Sequence, residues 1–310
     1  MQLTPPQTLQ QIAGYIKAEF SGDPGHEISG INEIHRVEKG DLTFVDHPKY
    51  YKKALHSAAS TIIINQRMSS PNGKALIFSE DPFRDFVFLI NKFRPFEHAS
   101  SMISPTAIIG QGTHIQPGTF IGNHVTIGKN CLIHANVSIY DHCVIGDDVI
   151  IHSGAVIGAD AFYFKRRPGL HDKLESCGRV IIGDRVEIGA STTIDKGVSG
   201  STIVGEGTKL DNLIQIGHDT IIGKNCLFAA QVGVAGCVNI EDDVILWGQV
   251  GVQKDLTIGK GAVVLGQSGV TKSLEGNKTY FGLPAQDATE KMREIALLKK
   301  LPDIFEKLSG

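Results

Sequence analysis

An aliphatic residue recurs at every sixth position of this chain: Ile103, Ile109, Ile115, Ile121, Ile127, Ile133, Ile139, Ile145, Ile151 and Ile157 form an unbroken series. The series resumes at Ile182, Ile188 and Ile194 and then changes phase. It continues through Val204, Leu210, Ile216, Ile222, Phe228, Val234, Ile240, Leu246, Val252, Ile258, Val264 and Val270. An amphipathic helix repeats about every 3.6 residues and an independent strand about every two, so neither accounts for a period of six. The period is the hexapeptide signature of a left-handed parallel β-helix. Three hexads of about 18 residues close one triangular coil, and successive coils stack at about 4.8 Å with one aliphatic side chain per face pointing inward. The 25 hexads therefore predict about eight coils. Gly often follows the aliphatic residue, as at Gly110, Gly128, Gly217 and Gly223, where the expectation is a corner that uses its conformational freedom.

Two interruptions break the series. The stretch 159–181 carries clustered aromatics and charges (AFYFKRRPGLHDKLESCGR) and reads as a loop extruded from a corner; long ordered loops are usually functional. The break between Ile194 and Val204 is short and reads as a bulge. Outside the repeats, residues 1–98 read as a separate α/β domain, with helical spacing in TLQQIAGYIKAEF and strands at DLTFV and STIIIN. The prism is expected over 99–285. The remaining segment, 286–310, reads as helix interrupted near Pro302, capping the open end of the prism or docking an acidic partner through Lys291, Arg293, Lys299 and Lys300. The expected class is mainly β.

Composition excludes several functions. With 30 Lys+Arg against 33 Asp+Glu the formal charge is −3, which gives no global attraction to nucleic acid or anionic membrane. No apolar run reaches the roughly 20 residues of a membrane span, and the N-terminus MQLTPPQTLQ lacks a leader pattern, so the expectation is a cytoplasmic protein. The five cysteines show no metal spacing, and four of them, Cys131, Cys143, Cys226 and Cys237, fall within the repeats, so all read as reduced thiols. Thirty-five Gly with a single Trp fit neither collagen nor a helical bundle. His114, His124 and His134 are ten apart, out of phase with the hexad, which scatters them over different positions; no metal site is expected.

A flat-faced prism needs an extruded loop or a neighbouring subunit to make a cleft, and trimers supply both; most proteins of this architecture are acyltransferases, an analogy at the level of fold. The residues that point to chemistry lie in KLDNLIQIGHDTIIG. Leu210 and Ile216 turn inward, leaving Asp211, Asn212, Gln215 and His218 free to face outward. One coil on, 18 residues from His218, lies Gly236, with space and a free backbone N–H. A neutral imidazole to take a proton from an attacking amine, beside a backbone donor for the developing oxyanion, is what acyl transfer to an amine requires. A solvated face histidine remains the plain alternative.

IGDRVEIGASTTIDKG and KLDNLIQIGHDTIIG, with ISGINEIHRVEKGDLTFVDHPKY before them and GADAFYF between, resemble the UDP-3-O-(3-hydroxyacyl)glucosamine N-acyltransferases of lipid A synthesis. The resemblance covers nearly the whole chain, and its N-terminal part is specific because other prism acyltransferases lack a uridine-binding domain. It implies a homotrimer in which His218 is the catalytic base and the Gly236 N–H the oxyanion donor. It also implies Asp211 and Gln215 at the substrate, with Asn212 between them in the same motif. The substrate is UDP-3-O-acyl-glucosamine, and the donor a 3-hydroxyacyl-acyl carrier protein whose 4′-phosphopantetheine arrives with it; no separate cofactor is implied. Phe44 and Tyr50 would sandwich the uracil, since base stacking on an aromatic face contributes about 1 to 3 kcal/mol in single-stranded nucleic acids. For Phe44 a core strand position, for Tyr50 a surface position and for Lys49 either a solvated lysine or a diphosphate contact stay open. Three features depart from the family pattern: His47 stands where NPKY has Asn, Asp255 in KDL stands where a second active-site His is expected, and GQSGVT replaces a Met-rich end. Two rivals therefore remain, an N-acyltransferase of another nucleotide sugar using a short acyl-CoA, and a non-catalytic UDP-sugar-binding trimer.

Overall fold

A computed structural model of the chain describes residues 1–70, 73–282 and 288–309, without the side chains of residues 288, 291, 307 and 309. The Lys291 side chain and the expected boundary at 285/286 lie outside the described residues. The N-terminal domain is a six-stranded sheet of β1 (Gln2–Thr8), β2 (Glu19–Ser21), β3 (Glu27–Ile31), β4 (Asp41–Val45), β5 (Thr61–Ile64) and β6 (Ala75–Phe78), in the order β1-β3-β4-β5-β6-β2. β3 to β6 run parallel, and the two edge strands pair antiparallel. Helices α1 (Leu9–Tyr15), α2 (Pro48–Leu55) and α3 (Pro82–Phe93) accompany the sheet. α1 begins in a capping box, with Thr8 and Gln11 each accepting the other's backbone N–H. It is shorter than the helical spacing of TLQQIAGYIKAEF predicts: Glu19 and Phe20 pair with Phe78 and Ile77 as an edge strand, because strand hydrogen bonds to β6 override the local period.

The hexads form a parallel β-solenoid with sheets of eight, nine and eight short strands. Pairing is in register every 18 residues, for example Ile127 with Ile145 and Ile216 with Val234. The repeating aliphatics are buried in one column with a second buried position two residues earlier, where Val125, Val137, Val149, Val232 and Val244 sit. Cys131, Cys143 and Cys226 occupy that same position and are free thiols. Cys237 is also free, but sits at a corner in the left-handed conformation, φ +62°.

The glycine expectation needs correction. Positive φ falls two residues after the usual glycine, at His124, Asn130, Asp148, Asp219, Asn225 and other corner residues. The glycine is required for close approach instead: a Cβ on Gly217 would meet Gly236 N at 2.6 Å, and one on Gly128 would meet Gly146 O at 2.4 Å.

Both interruptions mark where the domains join. Strand Val156–Ala159 pairs on to Thr193–Asp195, and Arg179–Ile182 resumes the opposite sheet, so the extruded loop is slightly shorter than 159–181. It contains an antiparallel hairpin, Phe164–Arg167 with Leu170–Lys173. Its Ala161, Leu174 and Cys177 share a core with Met1, Ile31, Phe83 and Phe86 of the N-terminal domain. Val198, in the second break, enters the same core. That break holds the expected irregularity and is also a docking point, because the inserted residues bury an apolar side chain under the first domain. The C-terminal helices α4 (Ala288–Leu298) and α5 (Leu301–Ser309) break before Pro302 as expected. Their described side chains are exposed, the apolar Met292, Ile295, Leu298 and Ile304 among them.

Candidate active site

His218 and Asp219 occupy one corner of the solenoid. Asp219 has φ +57°, a conformation an aspartate adopts more readily than a bulky residue, and it turns the carboxylate back under the imidazole. His218 Nδ1 lies 3.0 Å from Asp219 Oδ2, which also accepts the Val198 N–H at 2.8 Å. Asp219 is 3 % exposed and His218 15 %. A carboxylate on one ring nitrogen fixes the tautomer and leaves Nε2 free. Nε2 faces Gly236: a Cβ there would come within 2.6 Å of it. The Gly236 N–H has no acceptor among the described residues, whereas its carbonyl accepts from Asp255 N at 3.3 Å. Burial, the largest influence, works against the imidazolium, but the hydrogen bond and charge of Asp219, with the hydrogen bond of Cys237, outweigh it and raise the His218 pKa above the ordinary imidazole value.

The 18-residue repeat stacks Asp219, Cys237 and Asp255 in one corner column, and Cys237 N donates to His218 O at 2.8 Å. His218, Asp219 and Cys237 are the one trio of metal-capable side chains among the described residues, their donor atoms all within 4.8 Å of one another. The shared contact between imidazole and carboxylate already engages two of those atoms, so the trio serves as a hydrogen-bonded dyad with a neighbouring thiol.

The other residues singled out in the sequence divide by geometry. Gln215 is exposed beside His218 and donates Nε2 to Asp195 Oδ2 at 3.0 Å; burial raises the Asp195 pKa, against the Gln215 bond and the His218 charge. Asp211 is exposed and accepts the Asn212 N–H at 2.8 Å. Asn212 Oδ1 accepts the Ala190 N–H at 2.6 Å, repeating the corner contact that Asp141 makes to Asn123 N and Asp242 to Lys224 N. It is thereby an element of the coil. Asp255 is 58 % exposed and pairs with Lys254 at 3.4 Å. Among the N-terminal residues, Phe44 packs on Phe83 and Phe86, with centroids at 5.9 and 4.7 Å, and keeps part of its surface open. Tyr50 is 47 % exposed, with Lys49 Nζ 5.6 Å from its ring centre. His47 takes a structural role: it is the N-cap of α2, its Nδ1 accepting the Lys49 N–H at 3.2 Å, a task that Asn also performs.

Several residues were not singled out in the sequence. Tyr163, on the extruded loop, meets the His218 ring edge-on at 6.1 Å. Burial, then the charges of Glu33 and Asp46, push its pKa up to about 12. Lys165 on the same loop bonds Asp46, beside His47. Arg36 reaches Asp219 from the N-terminal domain, and Glu33, in the same turn, donates its backbone N–H to Ser199 Oγ. Their contacts span more than 100 residues and no local spacing marks them, although an acidic and a basic residue three apart before a strand was a readable signal. The histidines form stacks one coil apart, His124 on His142 and His134 on His152, each with centroids at 5.0 Å and each pair 18 residues apart in the chain.

A hexad solenoid carrying an imidazole–carboxylate dyad opposite a free backbone N–H is a hexapeptide-repeat acyltransferase. Residues 124–159 and 201–236 match the bacterial transferase hexapeptide model, and residues 179–212 the hexapeptide repeat of succinyl-transferase. Residues 26–92 match the model of the UDP-3-O-(3-hydroxymyristoyl) glucosamine N-acyltransferases. The UDP-3-O-acylglucosamine N-acyltransferase of Oleidesulfovibrio alaskensis is 47 % identical over 97 % of this chain and 94 % of that protein. The one from Nitratidesulfovibrio vulgaris is 44 % identical over the same shares, 97 % and 94 %. Among solved structures, a UDP-N-acetylglucosamine acyltransferase from Bacteroides fragilis matches with TM-score 0.51 at 30 % identity, over 58 % of this chain and 68 % of that one. The chain belongs to the UDP-3-O-acylglucosamine N-acyltransferase family and is an N-acyltransferase of lipid A biosynthesis. No helix among the described residues is long and apolar enough to cross a membrane.

Proposed function

We propose that the chain transfers a 3-hydroxyacyl group from an acyl carrier protein thioester to the 2-amine of UDP-3-O-acyl-glucosamine, working as a homotrimer in the cytoplasm. The observation that carries this reading is the placement of His218 Nε2 against Gly236 while Nδ1 rests on Asp219. The neutral amine attacks the thioester carbonyl and a C–N bond forms. His218 Nε2 accepts the proton released from nitrogen, and the Gly236 N–H donates to the oxyanion. Collapse breaks the C–S bond, and the imidazolium returns its proton to the leaving thiolate of the 4′-phosphopantetheine arm that the donor brings. Asp211 and Gln215 contact the sugar from either side of one corner, after strand Lys209–Leu210 and on strand Gln215–Ile216, and Phe44, His47, Lys49 and Tyr50 receive the nucleotide. Asp46, between Phe44 and His47 in the chain, bonds Lys165 of the extruded loop, whose Tyr163 meets the His218 ring.

The test is transfer from 3-hydroxyacyl-acyl carrier protein to UDP-3-O-acyl-glucosamine by the intact chain and by His218→Ala. The expected outcome is a loss of about 100- to 10,000-fold in kcat with nucleotide-sugar binding retained. Product from a short acyl-CoA but not from the carrier protein would replace the donor. Binding without any transfer would favour a non-catalytic protein.

A further inference from the structure

The turn Asn32–Arg36 belongs to the N-terminal domain, yet its polar groups are engaged with the prism. Arg36 Nη2 donates to the Asp219 carbonyl at 2.7 Å, and Nε comes within 3.9 Å of Asp219 Oδ1. That oxygen is buried and accepts no hydrogen bond among the described residues, while Oδ2 takes both Val198 N–H and His218 Nδ1. Glu33 donates its backbone N–H to Ser199 Oγ at 2.9 Å, its carbonyl accepts Arg36 N–H at 2.8 Å, and its side chain is buried. The Met1 ammonium pins the turn through Ile31 O, Asn32 Oδ1 and Ser199 O, at 3.0, 2.6 and 3.0 Å. Gly200 lets the two domains close, since a Cβ there would meet Asp219 Oδ1 at 3.0 Å and Arg36 Cγ at 3.2 Å. Burial, and next the Asp219 charge, push Glu33 up to about 7, while His218 and Arg36 act in the other direction. The carboxyl is thus buried in the turn whose backbone is bonded to Ser199 and whose Arg36 touches Asp219.

We propose that Glu33 and Arg36 are positioning residues of the acyl transfer that set the proton affinity of His218 with opposite sign, Arg36 by compensating Asp219 and Glu33 by adding a second acid behind it. The inference rests on the reading of His218 as the base. Removing the guanidinium leaves Asp219 free to favour the imidazolium, so the His218 midpoint rises. Removing the Glu33 carboxylate takes away a charge that favours the imidazolium, so the midpoint falls. The other groups facing the dyad are Asp195 on the preceding coil, Tyr163 on the loop, Cys237 on the next coil and His35 within the turn. They stay the same in every variant.

The experiment uses the full chain and its Arg36→Gln, Arg36→Lys and Glu33→Gln variants. It records kcat/KM against pH, and separately the pH midpoint for carbethoxylation of His218 by diethylpyrocarbonate, read on the His218 peptide by mass spectrometry. In both readouts the midpoint is expected to rise in Arg36→Gln, fall in Glu33→Gln and stay in place in Arg36→Lys. Each shift corresponds to about threefold or more in the basic fraction below the midpoint. Coincident midpoints, or shifts of one sign in both neutral variants as a loosened corner would give, overturn the proposal. If the modification midpoints move as expected and kcat/KM does not follow, the coupling stands and the assignment of His218 as base falls. Should Arg36→Gln fail to fold, the isosteric Glu33→Gln decides the sign by itself.

Discussion

At the scale of single residues, chemistry depends on a backbone contact between coils. A Cβ on Gly236 would first meet the His218 ring, at 2.6 to 2.8 Å, so Gly236→Ala is expected to displace the imidazole from the position that Asp219 holds. The expected outcome is at least about a 100-fold loss of kcat, as when an oxyanion donor is removed, with an unchanged circular dichroism spectrum. Activity within a few-fold of wild type would show that Nε2 does not work against this amide. His218 and Gly236 were legible because the 18-residue repeat converts a sequence offset into a neighbour. Asp219 adjoins His218 but the hexad pattern does not mark it, because the period does not say that a corner residue adopts positive φ and turns its carboxylate back. The motif marks His47 only as a departure from Asn; its role as a helix cap depends on the φ and ψ of the chain entering α2.

At the scale of elements, the extruded hairpin is held to the N-terminal domain chiefly by ions. Arg167 Nη2 meets Asp81 at 2.7 Å, Arg167 Nε meets Asp172 Oδ2 at 2.9 Å, and Arg84 reaches the same Asp172 oxygen at 2.9 Å. These groups are partly exposed, where such pairs contribute little to global stability but fix local geometry. Arg167→Ala is therefore expected to leave the melting temperature within about 2 °C while amide exchange across 164–173 speeds up and KM for the nucleotide sugar rises. Unchanged exchange would place the hairpin's anchorage in Ala161, Leu174 and Cys177 instead. The loop was recognisable in the sequence as a break in period with aromatics. Its hairpin was not, because four-residue strands around Pro168 and Gly169 carry no hydrophobic alternation.

For the whole molecule, a solenoid determines its own cross-section and leaves its partners to surfaces. The exposed Met292, Ile295, Leu298 and Ile304 on the C-terminal helices suit packing against other copies of the chain. Sedimentation is expected to give a trimer that dissociates when residues 288–310 are deleted; a monomeric full chain would remove the homotrimer. Charge reversal at Lys299 and Lys300 is expected to weaken acyl carrier protein binding, and unchanged affinity would place the carrier elsewhere. The amino-acid sequence by itself determined the coil, its inward column, the number of stacked layers and the neighbour of His218, because each follows from a local period that admits one registry. Only the tertiary structure decided that the N-terminal domain closes onto the back of the dyad through Glu33, Arg36 and the Met1 ammonium. It joins there because the two breaks in the period present Val198, Ser199 and the loop core to it. Contacts between segments up to 198 residues apart follow from which surfaces exclude water together, and no repeat in the chain encodes that.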